Sequence, residues 1–170
     1  NLGGRDLTIN GTGSTTFSGA IGGDGGLVKQ GTGTLTLAGT NTYGASTSIA
    51  GGTLSISSDS SLGGPLSFLQ FDGGTLQTTA SLSTGRAIVL GNGGGAFSAD
   101  LGTTLTLNGT IGGGGGLTTS GPGTVAVAGT TGYTGATTIN AGTFALRGGG
   151  TIDRSSVVNL AGAGAVFDIS

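Results

Sequence analysis

The chain of 170 residues contains no cysteine, histidine, methionine, tryptophan or glutamate. Without cysteine and histidine it lacks the usual zinc ligands, a thiol nucleophile and the imidazole of a Ser-His-Asp relay. Five cations and seven aspartates give a net charge of −2 and no basic stripe that could follow a phosphate backbone. We therefore expect a non-enzymatic chain with no catalytic residues, no metal, no cofactor and no nucleic-acid partner.

Proline and long apolar runs are also scarce. Two prolines beside 42 glycines exclude collagen, which needs glycine at every third position and much proline. The longest apolar runs, such as Ala87–Leu90, have four or five residues and are too short for a membrane helix. The first residues lack the charged start and apolar stretch of a signal peptide. We therefore expect either a cytosolic chain or one from which a flanking segment has been removed.

The abundant glycines predict an all-β chain with almost no helix, because they interrupt every window that could carry a helical apolar stripe. Apolar and polar residues alternate in short runs, and each run is predicted to be a strand with one buried face. These runs are Leu7–Ile9, Leu35–Leu37, Leu54–Ile56, Leu66–Phe68, Leu105–Leu107, Val125–Val127, Phe144–Leu146 and Val166–Ile169. The Asn-Gly pairs at 10–11, 92–93 and 108–109 are predicted corners with positive φ.

Comparison of the chain with itself reveals an internal repeat. Residues 19–56 align with 109–146 at an offset of 90 without a gap, and 18 of the 38 positions are identical. Where identity fails, the apolar pattern persists, as expected of a structural repeat. The positions expected to define it are Gly33, Leu35, Leu37, Tyr43, Ile49 and Gly52 in the first unit and Gly123, Val125, Val127, Tyr133, Ile139 and Gly142 in the second.

Short strands without crossover helices leave three architectures, namely a sandwich, a propeller or a β-solenoid. Propeller blades carry aromatic-rich motifs, and this chain has eight aromatic residues. A sandwich stays open, but stacked coils better explain the many Thr, Ser and Asn residues. We favour a single parallel β-helix over residues 1–170, with three strands and roughly 20 residues per coil and a length of about 40 Å. Its open ends predict a segment of a longer solenoid.

The aspartates are the residues with most potential for acid-base chemistry or metal binding, and they are spread widely along the sequence. Stacking of successive coils could bring Asp6 near Asp24, or Asp153 near Asp168. Catalysis or metal binding needs two or more carboxylates within a few ångströms, and the sequence does not cluster them. We expect solvated carboxylates at the corners.

Four further features have a structural and a functional interpretation. Gly91–Ala96 is similar to a nucleotide-binding loop, but no helix is predicted after it. Gly22–Leu27 is similar to a calcium-binding repeat, but it lacks the consecutive register of such repeats. Both segments are therefore predicted corners. Tyr43 and Tyr133 are expected to pack their rings at corners, with hydroxyls that reach water. Thr-x-Thr pairs such as Thr104–Thr106 are typical of ice-binding faces, but they are scattered along the sequence, which favours ordinary outward positions on strands.

The repeat itself resembles a known family. Gly19–Tyr43 and Ser48–Leu54 carry Gly-x-Gly-Thr-Leu-Thr-Leu and Thr-Tyr elements that resemble the autotransporter-associated β-strand repeat of type V secreted passenger domains. Leu105–Phe144 resembles it again, and Phe71–Ala80 with Arg86–Leu90 is similar to the segment that links such repeats. The first unit departs from the family at Tyr43, where glycine follows directly instead of after one residue.

The resemblance implies a right-handed parallel β-helix that a Gram-negative bacterium exports through the periplasm and displays on its surface or releases. It also implies a β-barrel translocator elsewhere in the parent protein, and the lack of cysteine suits such a route. We expect a structural stalk that supports secretion and adhesion, virulence or host interaction, through a host-cell or matrix receptor or by self-association, without inserting into a membrane itself. A polysaccharide-active β-helix enzyme, or a passive scaffold for a protease or toxin domain, remains the alternative.

Overall fold

The computed structural model describes residues 1–170, and nearly all of its regular structure is short strand. One 3-10 turn, Asp59–Leu62, is the exception. The strands are β1 (Leu7–Asn10), β2 (Thr15–Phe17), β3 (Gly22–Gly23), β4 (Leu27–Gln30), β5 (Thr34–Leu37), β6 (Thr42–Tyr43), β7 (Thr47–Ile49), β8 (Thr53–Ile56), β9 (Leu69–Phe71), β10 (Thr75–Thr78), β11 (Leu82–Thr84), β12 (Ile88–Leu90), β13 (Gly95–Ala99), β14 (Thr104–Leu107), β15 (Ile111–Gly113), β16 (Leu117–Thr119), β17 (Thr124–Val127), β18 (Thr137–Ile139), β19 (Thr143–Leu146), β20 (Val158–Leu160) and β21 (Val166–Asp168).

The strands stack in parallel on three faces of a solenoid. The first face is β1-β4-β7-β9-β12-β15, the second is β2-β5-β8-β10-β13-β16-β18-β20 and the third is β11-β14-β17-β19-β21. In the first two coils the short strands β3 and β6 take the place of the third face, and in the third coil the 3-10 turn does so. The predicted parallel β-helix with three strands per coil is confirmed, and it has about eight coils.

The coils differ in length because their corners differ. On the first face, the step between stacked residues is shortest from Leu69 to Ile88 and longest from Ile88 to Ile111. The strands themselves keep in register, so the extra residues are taken up by the loops between faces. Stacked strands lie about 4.8 Å apart, which fixes the interval at which side chains recur along the axis.

One continuous core fills the solenoid. Alternate residues of each strand point inward, and 25 buried apolar residues form a single cluster along the axis. Successive inward positions of the second face stack as Leu35, Leu54, Leu76 and Phe97. Each coil therefore buries its apolar side chains mainly against the coils directly before and after it.

Two details of the predicted secondary structure are wrong. Leu66–Phe68 was expected to form a strand, but these residues belong to a loop that follows the 3-10 turn, and Leu66 is 96% exposed. The alternation there does not mark a strand, and the next strand, β9, starts only at Leu69. None of the Asn-Gly corners has a positive φ; the left-handed conformation occurs only at other glycines, such as Gly31 and Gly94.

The two repeat units do not lie above one another. Leu27 is on the first face, where Thr47, Leu69, Ile88 and Ile111 stack over it in the next four coils. Leu117 holds the position in the second unit that Leu27 holds in the first, and it pairs with Gly95 on the second face. The offset between the units thus equals four coils plus one face, and the second unit is turned by about a third of a revolution relative to the first.

Candidate functional site

The two tyrosines occupy corresponding buried positions in the two units. Tyr43 and Tyr133 are 0% exposed, and their hydroxyls lie 2.6 Å from the Oγ1 atoms of Thr47 and Thr137, respectively. Each pair closes a corner from within, because Thr47 and Thr137 begin the strand that follows. The prediction that the rings pack at corners holds, but the expectation that the hydroxyls reach water is wrong.

Burial of these phenols changes their acidity. Burial raises the pKa of Tyr43 from 10.0 to about 12, against weaker opposing effects of the Thr47 hydrogen bond and the charge of Arg86. Burial likewise raises the pKa of Tyr133, opposed by its bonds to Thr137 and Ser155. Both rings are therefore neutral, hydrogen-bonded parts of the core and present no surface to a ligand.

The predicted repeat glycines lie where successive coils come closest. A Cβ at Gly33 would lie 2.0 Å from the carbonyl oxygen of Gly13, and one at Gly123 would lie 2.3 Å from that of Asp100. Gly52 and Gly142 adopt positive φ of 59° and 65°, and a Cβ there would meet the carbonyl oxygens of the stacked Gly33 and Gly123. Gly33 and Gly123 thus need glycine for space, and Gly52 and Gly142 need it for both space and conformation.

The predicted apolar repeat positions all point into the core. Leu35 and Leu37 lie on β5 of the second face and Ile49 on β7 of the first. Their counterparts Val125 and Val127 lie on β17 of the third face, and Ile139 lies on β18 of the second. All six are at most 2% exposed: Leu35, Leu37, Ile49, Val125, Val127 and Ile139.

A buried lysine caps the first corner of the first unit. Lys29 is 1% exposed, and its Nζ donates to the carbonyl oxygens of Gln30 at 2.6 Å, Gly31 at 3.1 Å and Gly51 at 3.2 Å. Burial lowers the pKa of Lys29 below 10.5. Three carbonyls match the three donors of an ammonium, so the charge is satisfied without a carboxylate.

Arg86 fixes the loop that contains the 3-10 turn. Its side chain donates to Asp59 Oδ1 at 2.9 Å and to four carbonyl oxygens at 2.6 to 3.1 Å, namely those of Asp59, Gly63, Gly64 and Ser67. Arg86 is 5% exposed, so these bonds form away from water. The sequence did not predict this network, because nothing in the primary structure pairs Arg86 with a loop of the preceding coil.

Six of the seven aspartate side chains accept hydrogen bonds within the chain. The aspartates that stacking could bring together have separate partners: Asp6 accepts from the backbone N–H of Gly26 at 2.7 Å, whereas the backbone N–H of Asp24 donates to Gly3 O. Asp168 pairs with Arg147, and this hydrogen bond holds the pKa of Asp168 well below its usual range. Other carboxylate contacts are Asp59 with Arg86, Asp72 with the Gly93 N–H, Asp100 with Gln77 and Asp153 with Thr151. No three acidic residues are grouped as metal ligands.

The outward threonines form a regular array, contrary to the expectation that they are scattered. Cα partners on the second face align Thr34, Thr53, Thr75, Ala96, Thr118 and Thr138 in one outward row, the threonine row. Two residues further along each strand, Thr16, Thr36, Ser55, Gln77 and Ser98 form a second row, the mixed row. The unequal coil lengths hide both rows in the sequence.

A groove lies beside the C-terminal half of the threonine row. It has a volume of about 360 Å³ and crosses four coils at the corner between the first and second faces. It is lined by glycines and alanines of these coils together with Asn92, Thr118 and Thr138. Gly91–Ala96 thus forms a corner and the start of β13, as predicted, with no helix after it.

Two comparisons relate the chain to known proteins. The family model of the passenger-associated-transport-repeat matches residues 27–56 and 117–146, which lie within the two units. The Adhesin BmaC autotransporter of Brucella suis biovar 1 (strain 1330) is 46% identical over 154 residues, which cover 90% of this chain. The chain spans about 4% of the length of that relative. No solved structure matches.

The solenoid contains no helix that is long and apolar enough to cross a membrane. Its parallel coils, its buried tyrosine corners and its glycine contacts recur at the positions where the family model matches. The chain therefore carries two passenger-associated-transport-repeats, and its resemblance to autotransporter passenger domains is confirmed.

Proposed function

We propose that this chain is a structural stalk within a longer autotransporter passenger, displayed on or released from a Gram-negative cell. The observation that carries the proposal is the continuous core of 25 residues along stacked coils, in a chain whose repeats match a passenger-associated transport model. A rod of this kind holds other parts of a protein away from the cell. The name of the similar Brucella protein, an autotransporter adhesin, supports a role in adhesion.

The stacked architecture also supports a role in secretion. Each coil contacts only its neighbours, so a coil that emerges from a pore can fold at once on the coil before it. Folding outside the cell would then oppose backward sliding of the chain. The absence of cysteine favours passage of an unfolded chain, because no disulfide can form before export.

The test uses one inward and one outward substitution on the third face of the full-length parent. Val125 is buried between Leu105 and Phe144, so Val125→Asp places a charge in the core and prevents stacking of this coil. Thr124→Val alters the adjacent outward side chain and keeps its β-branched shape. Surface display is measured by labelling intact cells. We expect it to slow several-fold for Val125→Asp and to stay unchanged for Thr124→Val.

Equal rates for the two variants would refute a role of folding in secretion.

The adhesive part of the proposal has a separate readout, namely attachment of the purified chain to host cells or matrix. Deleting residues 104–142 provides the matched length variant, because Thr104, Thr124 and Thr143 stack and the deletion removes two whole coils. Attachment that depends only on rod length indicates a spacer, whereas direct binding by the purified chain indicates an adhesive surface.

A further inference from the structure

The outer side of the second face is an array of uncharged side chains, most of them short. Neighbouring strands lie about 4.8 Å apart and the two rows are separated by about 6.6 Å, the distance of two residues along a strand. Five of the six positions in the threonine row are threonine. Because threonine is β-branched, its hydroxyl has few rotamers, and the row presents its oxygens at fixed positions.

Hydroxyls on the two sides of the same strands have different partners. The inward hydroxyls of Thr119 and Thr137 are bonded to Ala141 O and to Tyr133 and Ser155. The half-buried Thr118 and Thr138 face outward into the groove and leave their hydroxyls free for a ligand. Asn92 adds an exposed amide at the end of the same groove.

The chemistry of this surface selects a neutral ligand. Both rows consist of Thr, Ser, Ala and Gln, and the groove is lined by Gly, Ala, Thr and Asn without a charged residue. Two carboxylates border this surface and already accept hydrogen bonds, Asp72 from the Gly93 N–H at 2.7 Å and Asp100 from Gln77 Nε2 of the mixed row at 2.9 Å. An acidic glycan, a nucleic acid or a lipid phosphate would lose its hydration without gaining a cation.

The dimensions select an elongated ligand. Six stacked strands of three to five residues each give a face of about 24 by 13 Å, on the order of 300 Å². A stable protein interface buries about 800 Å² on each partner, so the face is too small for a globular protein or for a second copy of this chain. A groove that crosses four coils parallel to the row suits a narrow chain instead.

We propose that the groove and the threonine row bind a neutral, extended polysaccharide that lies along the solenoid axis with about one sugar ring per coil. An extended β-1,4-linked glucan advances by roughly one ring per strand spacing of about 4.8 Å, with alternate rings turned over, so successive rings lie beside successive coils. Single contacts are weak, and the repeated coils supply avidity. This binding is independent of the stalk role and is tested on the isolated chain.

The probes are cellohexaose in titration calorimetry and microcrystalline cellulose in a pull-down, with polygalacturonate as the charged control. Thr118→Val/Thr138→Val removes two hydroxyls and keeps the shape of the strands, whereas Thr124→Val/Thr143→Val makes the same change on the third face. Ala136→Leu fills the groove without removing a hydroxyl. Circular dichroism and melting curves establish that each variant is folded.

We expect the wild-type chain to bind both glucan probes and to ignore polygalacturonate. The second-face pair should weaken binding about fivefold or more, Ala136→Leu should abolish retention on cellulose, and the third-face pair should bind like the wild type. Absence of wild-type binding to millimolar cellohexaose and to cellulose would overturn the proposal. Equal loss in both pairs, or shaping of ice crystals without glucan binding, would overturn it as well.

Discussion

The Tyr43 hydroxyl lies 2.6 Å from Thr47 Oγ1, and the Tyr133 hydroxyl lies 2.6 Å from Thr137 Oγ1. The two contacts are therefore the same although they belong to corners on different sides of the rod. In both pairs the partners are close in sequence and fully buried, so each hydroxyl is satisfied only by the other or by a nearby oxygen. This repeated pair provides a first test of what stabilises the coils.

Tyr43→Phe should destabilise the chain by about 1 to 3 kcal/mol, because it leaves the buried Thr47 hydroxyl with only the 3.5 Å contact to Leu62 O. The free energy of unfolding in urea is the measurement. Thr124→Val, on an outward position, is the control and should change stability by less than about 0.5 kcal/mol. An unchanged midpoint for Tyr43→Phe would show that the hydrogen bond contributes nothing.

Stability should fall as the pH rises from about 10 to about 12. The pKa of Tyr43 is raised by burial to about 12 in the folded chain, so the unfolded chain releases this proton first. The stabilisation is complete below pH 10 and is lost as the pH passes the folded pKa, a change on the order of 2 to 3 kcal/mol. Tyr43→Phe should flatten this part of the curve of unfolding free energy against pH. A curve of the same slope in the variant would contradict the assignment.

Gly142→Ala should destabilise the chain by several kcal/mol or prevent folding. The residue has a φ of 65°, and the new Cβ would lie 2.3 Å from Gly123 O and 2.4 Å from Gly121 O. Gly112→Ala is a matched control, because its Cβ would meet nothing within 4 Å and its φ is not positive. Thermal melting should separate the two variants clearly; similar melting temperatures would mean that the corner can open without cost.

Arg86→Met should loosen the loop between residues 57 and 68. It removes the partner of Asp59 Oδ1 and of four carbonyl oxygens from a buried site, a loss of about 3 to 5 kcal/mol. Hydrogen exchange of the loop amides should accelerate strongly. Arg154→Met is the control, since Arg154 is an exposed cation near the C-terminus. Unchanged protection in Arg86→Met would show that the loop is held by its other contacts.

The architecture was accessible from the sequence because its signals are local and repeated. Alternation in runs such as Leu35–Leu37 marks inward positions, and the frequent glycines interrupt every window that could carry a helical apolar stripe. Leu66–Phe68 shows the limit of that reasoning. Three residues with a strand-like pattern form a loop there, because Arg86 bonds to the backbone around them.

The surface arrangement could not be predicted, since it depends on coil lengths. Thr53, Thr75, Ala96 and Thr118 stack on one another although the steps between them in the sequence are unequal. A loop that gains or loses a residue leaves the strand pattern unchanged but shifts the sequence positions at which stacked side chains occur. The threonine row and the Arg86 network both result from such loops, and neither has a periodic signature.

Because the second repeat unit is turned by one face relative to the first, equivalent surfaces of successive repeats follow a helical path around the rod. The repeat offset is four coils plus one face, so three offsets amount to about 13 coils, or about 62 Å. After that distance an equivalent surface points in its original direction again. A parent protein that kept this spacing would show any repeated feature to three directions in turn. Such a stalk could engage neighbours around its whole circumference without bending or rotating.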